Sequence, residues 1–184
     1  MKTADAVVKL DLVIRDLEAR DSAVLAEFFG ASRKEALEVA GWRDPEHFPF
    51  EEILAAAKQG AVEAWMFETH EGQPVALGLY QATGFPGVWT FEGAISERYS
   101  GSRGAGTAAG AAGLDRLFAG HPEIVRVMGY VAVTNLAARR VCDKLGFVEE
   151  GRAREHLELQ GGARVDAWLM GLLARDWRSR QIAA

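Results

Sequence analysis

The chain has 184 residues, of which 49% are hydrophobic and 26% are charged, and this size and composition predict one soluble domain over residues 1–184 with a full core. The net charge of −5 argues against a sequence-independent nucleic-acid binder, and no apolar run reaches the roughly 18 residues of a membrane span, so we expect a cytoplasmic protein without nucleic-acid or membrane partners. The single cysteine, Cys142, excludes an internal disulfide and provides no zinc-ligand spacing, so we expect no bound metal.

The first half of the chain is predicted to hold a strand, two helices and then three strands. Alternating apolar and polar residues indicate a strand over Val7 to Ile14. Asp21 is expected to cap a helix that continues through Phe29, and a proline-containing loop separates it from a short helix around Glu51 to Lys58. The three strands are predicted over residues 61–70, 74–82 and 88–95, the first two joined by the turn Glu71-Gly72-Gln73.

The second half alternates helices with strands and ends in a hairpin. The predicted elements are a helix to about Phe118, a strand over 123–133, a helix from Thr134 or Asn135 to the C-cap Gly146, and strands over 148–159 and 164–173. This order predicts an α+β fold with one mixed, mostly antiparallel sheet of about seven strands flanked by helices. The helix between strands 88–95 and 123–133 requires a crossover, so those two strands should be parallel.

A glycine-rich run, "YSGSRGAGTAAG" from Tyr99 to Gly110, has three interpretations. A flexible loop explains its start but not Gly110 and Gly113, which lie inside the predicted helix and whose shared face should lie close against backbone or ligand. A dinucleotide-binding fingerprint fits residues 104–109 in spacing, but eight residues separate it from the preceding strand and the next strand ends without an acid. The third is a phosphate cradle, in which small side chains expose N–H groups at a helix N-terminus.

Three motifs in order resemble those of the GNAT acetyltransferases, and within them the RimJ/RimL-like branch. The family's acetyl-CoA loop, R/Q-x-x-G-x-G/A, is matched in its two small residues by "GSRGAG" over residues 101–106. The family's asparagine motif is matched by "NLAARRVCDKLGF" over residues 135–147. The branch's tail pattern is matched by Glu150-Gly151, Arg154, His156, Asp166 and Trp168. The resemblance covers almost the whole chain.

The resemblance implies a single GNAT-like domain in which a splayed pair of parallel strands binds CoA. It further implies an N-acetyltransferase that uses acetyl-CoA and transfers the acetyl group to a primary amine. The implied CoA-binding residues are Ala94 and Ile95 on the strand, Ser102, Arg103, Gly104, Ala105, Gly106 and Thr107 in the loop, and Asn135, which would contact the pantetheine arm or serve as a plain N-cap.

The sequence departs from the family pattern at two places. Gly101 stands where the loop has Arg or Gln, so either Arg103 replaces that residue or the loop is one residue longer. Cys142 stands where many members have a tyrosine that acts as general acid. A thiol with a pKa of about 8.5 would suffice to protonate the CoA thiolate, but an apolar helix face equally makes Cys142 a core residue; Thr134 and Tyr99 are weaker alternative acids.

The candidate acceptor-side residues each have a structural alternative. Glu92 is the candidate base or substrate anchor, unless its strand face is reversed and it is a surface glutamate. His156 is a candidate for substrate binding or an ordinary strand histidine. Trp42, with Arg43, Asp44 and His47, lies in a loop that would recognise the substrate, or Trp42 belongs to the core.

Two acceptor classes and one non-catalytic role stay open. A protein N-terminal α-amine, with a pKa of about 7.7–8.0, loses its proton more easily than a lysine side chain at about 10.4. The alternatives are a polyamine or an aminoglycoside-like cation, and a degenerate member that binds acyl-CoA without catalysis. A monomer or a homodimer is expected.

Overall fold

The computed structural model describes residues 10–28, 48–101, 104–159 and 162–182. Within these ranges, seven strands form one sheet and five α-helices accompany it. The strands are β1 (Val13–Asp16), β2 (Val62–Glu68), β3 (Pro74–Ala82), β4 (Val88–Ile95), β5 (Arg126–Ala132), β6 (Val148–Glu158) and β7 (Arg164–Leu173). The helices are α1 (Asp21–Phe28), α2 (Phe50–Lys58), α3 (Ala105–Gly120), α4 (Leu136–Leu145) and α5 (Ala174–Ile182), with a 3-10 turn at Glu97–Tyr99.

The sheet has the strand order β1-β2-β3-β4-β5-β7-β6. All neighbouring pairs are antiparallel except β4 and β5, which are parallel because α3 forms the crossover between them. The prediction of an α+β fold with one mixed, mostly antiparallel sheet is confirmed.

Strands β4 and β5 pair only at their start. Their register joins Val88 to Arg126, Trp89 to Val127 and Thr90 to Met128, and no later residue of either strand is paired with the other. At the next level a Cβ on Gly129 would lie 2.9 Å from the Phe91 ring, so the glycine allows β5 to pass this side chain. Beyond it the two strands separate, which confirms the predicted splay and opens a gap in the sheet.

Alternation along the strands divides the core between the two faces of the sheet. One face carries Trp65, Tyr80 and Val127 and is covered by α3 and α4. The other carries Met66 and Leu77 and is covered by α1 and α2. Residues that alternate along β4 therefore face different helices, and this determines which side chains can meet in the gap.

The glycines of α3 form a face that lies against side chains. A Cβ on Gly106 would lie 3.1 Å from Val141 Cγ2, and one on Gly110 would lie 2.5 Å from Leu145 Cδ1, both on α4. A Cβ on Gly113 would overlap the Tyr80 hydroxyl. The expected close approach is present, and the nearest protein atoms are side chains of α4 and the sheet.

Two predictions about the amino-terminal elements need correction. Strand β1 begins at Val13, not at Val7, and continues to Asp16; residues 1–9 lie outside the described ranges. The charged Arg15 is accommodated in β1 because its guanidinium has partners there. It donates to both oxygens of Asp21 at 2.7 Å and to Glu68 at 2.6 Å. Asp21, 1% exposed, is the first residue of α1, and its carboxylate serves this pair rather than capping the helix.

Helix α5 is absent from the sequence prediction, which ended with the hairpin. Its sequence, ARDWRSRQI, has few apolar residues and so no clear helical stripe. Tertiary contacts attach it to the fold: Trp177 is buried and its Nε1 donates to Asp115 of α3 at 2.8 Å, and the N–H of the buried Ala174 donates to the Val125 carbonyl at 3.0 Å.

Candidate active site

A largely apolar cleft of about 190 Å³ lies where β4 and β5 separate. It is lined by residues of β2, β3, β4, β5, α3 and α4. Of the residues predicted from the sequence, it brings together Glu92, Ala94, Ile95, Gly106, Asn135 and Cys142. Tyr130 also lines the cleft and was not predicted to belong to a site. The roles of all these residues remain predictions.

The N-terminus of α3 closes one side of the cleft. Gly104 precedes the helix with φ 105°, in the left-handed region, and as the N-cap residue it has no side chain to accept from the first N–H groups of the helix, those of Ala105, Gly106 and Thr107. These groups lie at the positive end of the helix dipole, where an anion is stabilised. Ser102 and Arg103, the other predicted loop residues, lie outside the described ranges.

Asn135 begins α4 at the edge of the cleft. Its Oδ1 accepts a hydrogen bond from the Ala138 N–H at 3.0 Å, and Gly146 ends the helix with φ 87°. The predicted N-cap and C-cap are both confirmed. Because Asn135 also lines the cleft, the cap does not prevent contact with a pantetheine arm, and that contact stays a prediction.

Cys142 is a buried residue that reaches the cleft wall. Its side chain belongs to the core under α3 and α4, and it is 3% exposed. Burial raises the pKa of the Cys142 thiol to about 11. The raised pKa makes this thiol a weaker acid than an ordinary cysteine, whose pKa is about 8.5, and so a poorer proton donor to the CoA thiolate. This favours the core interpretation over the acid.

Glu92 lies on the face of the sheet that α1 and α2 cover. It follows Phe91, which packs on the opposite face, and shares its own face with Ala94. Its side chain is exposed and lines the cleft. The strand register therefore directs Glu92 away from α3, to the side of the gap opposite the helix N-terminus.

His156 and Trp42 are not among the described residues that line the cleft. His156 lies on β6, and its ring contacts Tyr130 with the centroids 4.0 Å apart. Trp42, Arg43, Asp44 and His47 lie outside the described ranges. The sequence did carry a signal for Tyr130: in "RVMGYVA" it alternates with the buried Val127 and Val131, which places a large aromatic ring on the other face.

Comparison with known proteins identifies the family. The family model described as the acetyltransferase (GNAT) domain matches residues 11–148, which is most of the chain. The chain belongs to the GNAT acetyltransferase family. It is therefore an N-acetyltransferase by family, as the sequence motifs predict. No curated protein matches the sequence.

Solved structures of other acetyltransferases share the fold. RimJ of Mycobacterium smegmatis in complex with CoA-disulfide is 22% identical with a TM-score of 0.74, over 90% of this chain and 83% of that one. Spermidine N-acetyltransferase of Vibrio cholerae with CoA and spermine is 20% identical with a TM-score of 0.76, over 90% and 97%. Ribosomal-protein-S5-alanine acetyltransferase of Vibrio fischeri is 21% identical with a TM-score of 0.73, over 90% and 94%. At these identities the likeness establishes the GNAT fold.

No helix in the described ranges is long and apolar enough to cross a membrane. No group of three or more His, Cys, Asp or Glu side chains in them could hold a metal ion.

Proposed function

We propose that this GNAT protein transfers the acetyl group of acetyl-CoA to a primary α-amine, of the kind found at a protein amino terminus. The observation that carries the proposal is the separation of β4 from β5 after Thr90, with an apolar cleft between the strands and beside it a helix N-terminus whose N-cap residue is a glycine. Such a gap leaves strand backbone groups for the amides of a pantetheine arm, and the helix end suits a pyrophosphate. The residues present thus fit acetyl-CoA.

Different residues around the gap would bind different parts of acetyl-CoA. Backbone N–H groups of Ala105, Gly106 and Thr107 would hold the phosphates, and Ala94 and Ile95 would offer main-chain partners along β4. Asn135 would reach the arm from the start of α4. Bound acetyl-CoA supplies an activated thioester; the chain itself orients the acceptor and removes its proton.

Removal of the proton from the acceptor's ammonium group is assigned to Glu92. Its position on the α1–α2 face places the carboxylate on the acceptor side of the gap, where it would bind the incoming ammonium group and accept a proton directly or through water. It is the one acidic side chain among the described residues that line the cleft. A single carboxylate suits one amino group better than the several positive charges of a polyamine, and an α-amine, with a pKa of about 7.7–8.0, deprotonates with little help.

Release of CoA thiol with a panel of acceptors tests the proposed function. We expect turnover with a peptide that has a free amino-terminal alanine, weaker turnover with spermidine and none with the N-acetylated peptide. Faster turnover with spermidine would replace the α-amine by a polyamine as the acceptor. Binding of acetyl-CoA without thiol release for any amine would indicate a non-catalytic acyl-CoA-binding protein.

The pH dependence of Glu92→Gln tests the role of Glu92. As a base, Glu92 matters most below the pKa of the acceptor amine, so the variant should lose rate mainly at low pH and recover as pH rises. As an anchor alone, it would change KM across the range. The remote Asp176→Asn on α5 makes the same carboxylate-to-amide change and should leave the profile unaltered. Unchanged kcat and KM in Glu92→Gln would remove Glu92 from the site.

A further inference from the structure

The gap between β4 and β5 is bordered by an acidic residue on β4, Glu92, and by an aromatic residue on β5, Tyr130. The register pairs Thr90 with Met128, and the same register continued by two residues places Glu92 opposite Tyr130. Both side chains lie on the face away from α3, because Val127 and Val131, which alternate with Tyr130, are buried on the α3 face. Both line the cleft. A carboxylate and an aromatic ring therefore lie on the same face of the sheet, one on each of the two strands that border the opening.

The Tyr130 ring is held from behind by a histidine on a different strand. β7 lies between β5 and β6, yet the His156 ring reaches Tyr130, with the centroids 4.0 Å apart and the planes inclined by 34°. Tyr130 remains 41% exposed, which is a large fraction for an aromatic side chain beside a cleft. His156 thus covers one part of the ring, and the exposed part is available to a ligand.

A fixed irregularity in β6 makes this contact possible. The β6–β7 register shifts between Ala153 and Leu157, and within this bulge Glu155 has φ 49°, a left-handed conformation that costs a non-glycine residue about 1 kcal/mol or more. The conformation is secured from β7: the Glu155 N–H donates to Asp166 at 2.9 Å, and Arg164 Nε donates to the Glu155 carbonyl at 2.6 Å. Bulges of this kind redirect side chains, and this one directs His156 onto Tyr130.

We infer that Tyr130 is a specificity-determining residue of the acceptor subsite and that His156 is its positioning residue. The acceptor enters as an ammonium group between the Glu92 carboxylate, which binds its charge, and the Tyr130 ring, whose electron-rich face attracts a cation. This rests on the proposed function, since it names the group that receives the acetyl. It adds to that function that the acceptor must be a cationic amine and must fit in the open space beside the Tyr130 ring.

Calorimetric titration of amines into the CoA-saturated protein tests the inference without turnover. The probes are a peptide with a free amino-terminal alanine, its N-acetylated counterpart and spermidine. In Tyr130→Leu the free-amine peptide should bind roughly two- to fivefold more weakly, the range expected for loss of a partly exposed cation–π contact. Tyr130→Phe keeps the ring and should bind like the wild type. Binding of the N-acetylated peptide should be equally weak in all variants.

The positioning role of His156 is tested by rescue. His156→Ala should weaken amine binding in the same direction as Tyr130→Leu, and His156→Phe, which restores a ring behind Tyr130, should recover it. Phe85→Leu, an exposed aromatic in the β3–β4 turn, is the matched control and should change nothing. Equal loss in Tyr130→Phe and Tyr130→Leu would assign binding to the hydroxyl, and unchanged binding in Tyr130→Leu would overturn the inference.

The outcome is separable from that of the proposed function. A first titration with CoA alone shows whether the cleft binds the donor, and its failure contradicts the proposed function. The amine titrations are also run on the protein without CoA, because Glu92 and Tyr130 both line the unliganded cleft. Absence of amine binding in both series overturns the inference whether or not CoA binds.

Discussion

Replacing Gly113 by alanine tests whether the glycines of α3 are there for packing. Alanine in a helix interior is more favourable than glycine by about 1 kcal/mol, so propensity alone predicts stabilisation. The Cβ, however, would overlap the Tyr80 hydroxyl and lie 3.1 Å from Phe67 Cζ. Tyr80 is 4% exposed and Phe67 is 1% exposed, so neither ring can move aside cheaply, and overpacking of this kind costs about 1–3 kcal/mol. The net effect should be a loss of up to about 2 kcal/mol.

Thermal unfolding of Gly113→Ala beside Gly120→Ala measures this balance. A Cβ on Gly120, at the end of α3, meets nothing within 4 Å, so that variant should gain up to about 1 kcal/mol. For a chain of this length we expect Tm to fall by up to about 8 °C in Gly113→Ala and to rise by up to about 4 °C in Gly120→Ala. If both variants raise Tm equally, the packing explanation of the glycine face is wrong.

Three further predictions concern a buried ion pair, the cleft cysteine and the helix N-terminus. Replacing Arg15 by methionine leaves the Asp21 carboxylate buried without its partner, and urea unfolding should show a loss of about 3–5 kcal/mol that the exposed Arg20→Met does not share. Burial raises the pKa of Asp21, but hydrogen bonds from Arg15 and a backbone N–H outweigh it and hold that pKa below its ordinary value. The pair's stability is therefore present above the unfolded-state pKa of about 3.9 and is lost as pH falls from there through the lower folded-state pKa, and urea midpoints of Arg15→Met should show less of this acid dependence. Cys142→Val should keep kcat within about twofold in the thiol-release assay, and a tenfold loss would make the thiol an acid. Thr107→Glu places a negative charge at the start of α3, so it should stabilise the unliganded helix by up to about 1 kcal/mol. It should bind acetyl-CoA more weakly than Thr107→Gln in a thermal-shift titration, with a smaller difference at high salt; equal affinities would show that the phosphates do not bind at this helix end.

The sheet and its split could be predicted because local patterns specify them. Alternation in β2, β3 and β4 fixed each strand, and the helix between β4 and β5 required their parallel pairing. The separation of β4 from β5 was predicted from the resemblance to the family's motifs. Asn135 and Gly146 are found at the two ends of α4, as their residue types predict.

The errors occurred where tertiary contacts decide the local structure. No local pattern indicates α5, whose attachment depends on Trp177 meeting Asp115 far away in the chain. Asp21 is a residue type that commonly caps helices, but its carboxylate instead accepts hydrogen bonds from an arginine on β1.

The candidate site was only half visible in the sequence. Motifs identify Asn135 and the loop, because the family keeps residue types at fixed spacing there. The pairing of Tyr130 with His156 depends on a bulge held by Asp166 and Arg164, which no spacing rule predicts. The tail residues that carried the resemblance thus have structural contacts: Asp166 secures the bulge, and Trp168 lies under the Arg139 guanidinium.

A crystal structure of the protein with bound CoA tests the central claim most directly. The account predicts the pyrophosphate within hydrogen-bond distance of the N–H groups at the start of α3, and the pantetheine arm between β4 and β5 beyond Thr90, with its thiol directed towards the Glu92 and Tyr130 side. CoA bound elsewhere, or bound with β4 and β5 paired along their full length, would contradict it.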